Sequence, residues 1–175
     1  MDVLAEEYQY QISKYIEHDT YNEAKDKLIP FTAQVGTYGG KVYGLSYMAS
    51  PGAYFYRRSL AKKYLGSDDP VTVQKEFIGW YTFLATARAL KKASGGKCVI
   101  LSSTDDLLKP YFGMRTSPWI QDGEVAVDSA VEDYMDMAKT LKDEGLEGRQ
   151  SQWSEGWFNG FKGALKDEAG KPVEV

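Results

Sequence analysis

A single cysteine, Cys98, and a single histidine, His18, are all that this chain offers of the two side chains most used in metal and redox chemistry. One cysteine closes no intramolecular disulfide and makes no CxxC site. One histidine excludes the HExxH zinc motif and leaves one imidazole for any Ser-His-Asp arrangement. Long apolar runs are also missing, and none approaches the roughly 20 residues that span a bilayer. The opening, Met1-Asp2-Val3-Leu4-Ala5-Glu6-Glu7, lacks the basic and apolar regions of a secretory signal. Positive charge is short too, with 21 Lys and Arg against 25 Asp and Glu and a formal charge of −4. That balance disfavours nucleic acid, which needs a concentrated basic face.

Phosphate loops are absent in any working form. Gly39-Gly40-Lys41-Val42 and Gly95-Gly96-Lys97-Cys98 both contain GGK, yet neither lysine is followed by Ser or Thr. Val35 and Lys91 stand where a P-loop opens with glycine. Both Gly pairs read as turns feeding strands. Asp68-Asp69 and Asp105-Asp106 lack the alternating spacing of a calcium loop. The carboxylates Asp105, Asp106, Asp122, Glu124 and Glu155 include no pair that sequence marks out for glycoside hydrolysis.

What the chain has is aromatic surface, with 13 Tyr and 4 Trp in 175 residues. A domain of this length buries roughly 70% of its unfolded surface, so most rings belong to a core. Trp119 follows a proline just before a hairpin, and Trp153 and Trp157 flank a helix start in QWSEGWFNGF. Rings at such mouths suit the flat C–H faces of sugars, and equally suit plain packing. Trp80, in mid-helix, reads as core. Cys98, inside the apolar CVIL run, reads as a small packed hydrophobe.

The spacing predicts helices over 3–17 and from Asp19 or Thr20 to Leu28, with Pro30 ending the second. Val42 to Leu45 and Ala53 to Tyr56 read as two strands around a polar elbow, Ser46 to Gly52. The pair fits an ordinary hairpin in an α/β core as well as a hinge between lobes. A short helix follows from Ser59 to Leu65, stopped by Gly66. Thr72 begins a long helix to about Lys92, with Phe77, Trp80, Tyr81, Leu84 and Ala87 on its apolar face. A buried strand spans Lys97 to Leu101, and a short helix Leu107 to Phe112. Asp122-Gly123 between Ile120 and Val125 predicts a tight hairpin. Ser129 and Glu132 form a capping box for a helix ending at Gly145. Ser154 caps a last helix to about Leu165, and the charged tail from Asp167 to Val175 should fray. This order of elements is a helix-rich α/β layer structure.

Several stretches, in this order, resemble one family. GGKVYGL followed by SPGAYFYRRSLAKKYLG is similar to the crossover segment of extracellular solute-binding proteins, the carbohydrate-type receptors of ABC importers. Ser46 stands where that family usually has Pro, and Ser59 where it has Asp. FIGWYTFLATARALKKASGGKCVILSS, RTSPWIQDGEVAVDSAVEDYMDMAKTLKDEGL and QSQWSEGWF resemble its later blocks. Together they cover most of residues 39–165. The resemblance implies a lobe of a periplasmic-binding-protein-like (type II) clamshell. Residues 1–38 would be a remnant of the first lobe, 39–175 the second lobe, and 41–58 the hinge strand. It implies an internal piece of a longer secreted lipoprotein at the outer face of the cell membrane or in the periplasm.

The expected protein is a monomer without catalysis or cofactor, and its partners are a sugar and an ABC permease. Carried over position by position, Tyr47, Arg115, Trp119, Trp153 and Trp157 are the ligand-facing residues. Arg115 would donate to hydroxyls or a carboxylate, or else tie down a carbonyl. Two other classes stay open: a carbohydrate-active enzyme or its accessory domain, and a domain with only a protein-interaction role.

Overall fold

Pro30, expected to end a helix, begins one. The computed structural model describes residues 29–39, 41–42 and 52–175. The helices expected before residue 29, His18 and the elbow with Tyr47 lie outside them. By its contacts the chain divides into two units, Met1–Tyr54 and Phe55–Val175. In the first, helix α1 (Pro30–Val35) has its proline in the first turn, where a missing N–H costs nothing. Strands β1 (Thr37–Tyr38) and β2 (Lys41–Val42) pair antiparallel, Thr37 opposite Val42.

Residues 52–57 form no strand, which corrects the expected run from Ala53 to Tyr56. Tyr54 and Phe55 are exposed. In the second unit, α2 (Arg58–Leu65) ends at Gly66, which takes the left-handed conformation at φ 80°. Asp69 caps α3 (Pro70–Gln74), its Oδ2 accepting from the Thr72 amide at 2.8 Å. The single helix expected from Thr72 to Lys92 is broken. A 3-10 turn (Lys75–Phe77) follows α3, and α4 (Trp80–Ala93) restarts after Gly79. Gly79 sits at φ 81°, ψ 161°, a region open essentially to glycine alone. The restart resets the buried face to Phe83, Thr86, Ala87 and Leu90, and leaves Tyr81 in solvent.

Residues 98–101 form no strand, which corrects the expected one from Lys97 to Leu101; they pair through single parallel bridges rather than a ladder, Cys98 with Glu174 and Leu101 with Glu147. The Val99 amide donates to Glu174 O, and the Ile100 amide to Leu146 O, both at 2.9 Å. The tail therefore does not fray. Its residues fold back, the Val173 amide donating to Leu165 O at 2.9 Å, and then line one side of the 97–99 segment. Backbone groups on a segment edge need partners, and the tail supplies them. Glu174 also accepts from Lys63 Nζ at 2.9 Å and Tyr64 Oη at 2.5 Å, fastening α2.

A 3-10 turn (Thr104–Leu107) leads into α5 (Leu108–Gly113). Strands β3 (Ile120–Gln121) and β4 (Glu124–Val125) form the predicted hairpin, with Asp122 at φ 52° and Gly123 at φ 82°, both positive as a type I′ turn requires. Helix α6 (Ser129–Asp143) is capped by Asp128, not Ser129. Asp128 Oδ1 accepts from the Ala130 amide, while Oδ2 accepts from the Thr116 and Ser117 amides, all at 2.9 Å, and from Ser117 Oγ at 2.6 Å. The Ser117 hydroxyl and then these amides hold its carboxyl far below the usual carboxylate range. Ser154 caps α7 (Glu155–Lys162), which Gly163 stops at φ 70°.

The core joins Phe83 and Ala87 of α4, Leu107, Tyr111 of α5, Leu141 of α6 and Leu146. Ile100 and Leu101 pack against it. Helix α7 approaches the 98–102 segment at Gly160, where a Cβ would fall 2.1 Å from Ser102 Oγ. The unit is thus helix-rich and broadly α/β, around short parallel-bridged segments.

Candidate functional site

Because 98–101 and 146–148 run parallel, their following loops emerge at the same end. That end is where α/β structures commonly present ligand-binding groups. The loop after 101 carries Asp105 and Asp106. The loop after 148 carries Gln152 and Trp153 and enters α7. The two loops are tied together. Asp105 Oδ2 accepts from the Gln152 amide at 3.0 Å, and Asp106 Oδ1 accepts from Gln152 Nε2 at 3.1 Å. Trp157 Nε1 donates to both oxygens of Asp106 at 3.0 Å.

Trp157 is only 8% exposed, and its ring is the hub of an aromatic group. Trp153 lies against it at 4.9 Å between centroids, Phe161 at 4.6 Å and Phe158 at 5.1 Å. Trp153 itself is 65% exposed, and Phe158 and Phe161 also reach solvent. The structure therefore brings Trp153 and Trp157 together in unequal roles. One ring faces water, and the other backs it with its N–H already bonded.

Arg115 and Trp119 form a second group. The guanidinium lies 3.8 Å from the Trp119 ring centroid, a cation–π contact. Arg115 also donates from a terminal nitrogen to Ser117 O at 3.0 Å, while its buried Nε has no partner. The Asp128 carboxylate fixes residues 116 and 117 beneath it. Trp119 meets Phe112 edge-on at 5.8 Å, and Phe112 meets Tyr134 at 6.1 Å. The Tyr134 phenol is pushed up by burial and then by the Asp105 charge. Tyr47 lies outside the described residues.

The sequence sets no pair apart among Asp105, Asp106, Asp122, Glu124 and Glu155, and Gln152, Phe158 and Phe161 are not among the expected ligand-facing residues. The i, i+3 spacing of the two Phe residues on α7 was the available signal. Glu147, at 4% exposure, borders the same loops. Its Oε2 accepts from the Arg149 amide at 2.8 Å, and its Oε1 has no partner. A groove of about 570 Å³ at the C-terminal end of α4, lined by Arg88, Lys91, Lys92 and Glu144, contains none of these residues. Among the described residues no cluster of His, Cys, Asp and Glu is placed to hold a metal ion, and no helix is long and apolar enough to cross a membrane.

No family model matches the chain, and neither a curated protein nor a solved structure matches it.

Proposed function

We propose that the second unit is a sugar-binding lobe of a solute receptor that serves an ABC importer. The observation that carries this reading is the group around Trp157: one buried indole backing the exposed rings of Trp153, Phe158 and Phe161. Exposed rings with hydrogen-bonding groups at their rim fit the alternating apolar and hydroxyl faces of a sugar. Arg115 over Trp119 supplies a directed donor beside a second ring. In this reading a second lobe closes over the sugar, and closure presents a surface to the permease.

The test is a thermal-shift and calorimetric screen of the chain against glucose, maltotriose, maltohexaose, cellotriose and xylotriose. Ligand at about 100 times its Kd adds roughly 2.7 kcal/mol to the native state. A single lobe lacks the opposing half of the cleft, so we expect only a small rise in melting temperature, with one sugar class at the highest concentrations, lost in Trp153→Ala. A flat response to every sugar at tens of millimolar, repeated with peptides giving a shift, would move the reading to another solute.

A further inference from the structure

Trp153 carries a contradiction. Its backbone lies at φ 68°, in the left-handed region that bulky residues avoid. Such a conformation persists only where its surroundings over-determine it. Strain in a core residue is offset by burial, yet this ring stays 65% exposed. The restraint therefore comes from the chain on either side, and it is specific. Before Trp153, Asp105 holds the Gln152 main chain at 3.0 Å and Asp106 holds its side chain at 3.1 Å. After it, the Ser154 amide donates to Ser151 O at 3.1 Å, and Ser154 Oγ caps α7 by accepting from the Trp157 amide at 3.2 Å. Asp106 also fixes the Trp157 indole on which the Trp153 ring leans.

From these contacts we propose that Asp105 and Asp106 are positioning residues, which hold Trp153 in its strained backbone so that the ring is presented before any ligand arrives. The proposal deepens the sugar-binding reading and rests on it for the identity of the ligand. Its physical content is preorganisation. A ring already ordered loses little freedom on binding, so the affinity depends on groups that need not touch the sugar. In this role each carboxylate is an acceptor in a scaffold.

Two Trp rings with centroids 4.9 Å apart couple their electronic transitions, so the pair should give an exciton couplet in the far-ultraviolet circular dichroism of the full chain. Asp106→Ala should diminish that couplet with no ligand present. It should also weaken the Kd for the sugar found in the screen by about five- to tenfold. Asp105→Asn and Asp106→Asn, which keep one acceptor oxygen and the side-chain shape, should fall between it and the unmutated chain. They serve where Asp106→Ala does not fold. Trp153→Gly suits the left-handed backbone, so it should leave the melting temperature unchanged or higher while abolishing binding.

An unchanged couplet in the Asp106 variants overturns the positioning role, whichever sugar binds. So does an unchanged Kd in both Asp variants. A couplet lost in the Asp106 variants, with no sugar bound by the unmutated chain, upholds the positioning role and removes the sugar reading instead.

Discussion

Glu147 is a carboxyl placed where charge is poorly tolerated. One oxygen takes the Arg149 amide and the other takes nothing. Burial pushes its pKa upward, and the Arg149 amide and the Lys142 and Arg149 charges only partly oppose this. A carboxyl raised in the folded state binds protons there more readily than in the unfolded chain. Stability from this group is therefore greatest below its unfolded value of about 4.3 and falls as pH rises through the folded value. Glu147→Gln keeps an oxygen for the Arg149 amide and removes the charge. It should raise the melting temperature by about a few degrees near pH 7.5, with the gain vanishing below about pH 4. Melts of both proteins from pH 3.5 to 8 test this, and a gain independent of pH would rule out the ionisation argument. The Trp pair makes a related point about single residues. Sequence placed Trp153 and Trp157 around one helix start, but it did not show that Trp157 is buried with its N–H on Asp106, 51 positions earlier, while Trp153 stays exposed.

Among the elements, α7 comes close to the segment before the first loop, because Gly160 leaves no side chain between the helix and Ser102. Gly160→Ala should cost about 1–3 kcal/mol by overpacking, read as a lower urea midpoint. Adding Ser102→Ala should recover most of it, since the next contact of the new methyl is 3.4 Å away, at Ser102 Cβ. A double variant as unstable as the single one would place the cost elsewhere. Elements with a local chemical signature were legible in the sequence. Asp122-Gly123 specified its hairpin, Ser154 its cap, and Gly66 its stop. The break at Gly79 was not legible, because apolar spacing ran through it and a lone glycine within a helical pattern is usually tolerated. Asp128 displaced Ser129 as the cap because it also serves two loop amides, twelve and eleven residues earlier, a tertiary demand invisible in a local window. The tail's order was missed for a similar reason: its partners are the backbone of residues 97–99 and the side chains of α2.

At the scale of the whole molecule, the helical core and the aromatic end depend on different kinds of contact. Helices α4, α5 and α6 and their core residues come from one continuous stretch, Trp80 to Leu146. The end that carries Trp153 depends on loops brought together by the parallel bridges, so the proposed function rests on the more distant pairings. Those bridges have a kinetic consequence. Cys98 with Glu174 closes a long loop before any pairing rewards it. The continuous helical stretch is then the natural nucleus, and the bridged end condenses onto it after the barrier. Leu141→Ala should slow refolding, whereas Gly160→Ala should leave refolding nearly unchanged and speed unfolding. Chevron plots of the two variants give the answer, and equal slowing of refolding in both would mean that the bridged end is already built at the top of the barrier. On the expected outcome, a chain under thermal or mechanical stress loses the end that carries Trp153 first and can regain it without rebuilding its core.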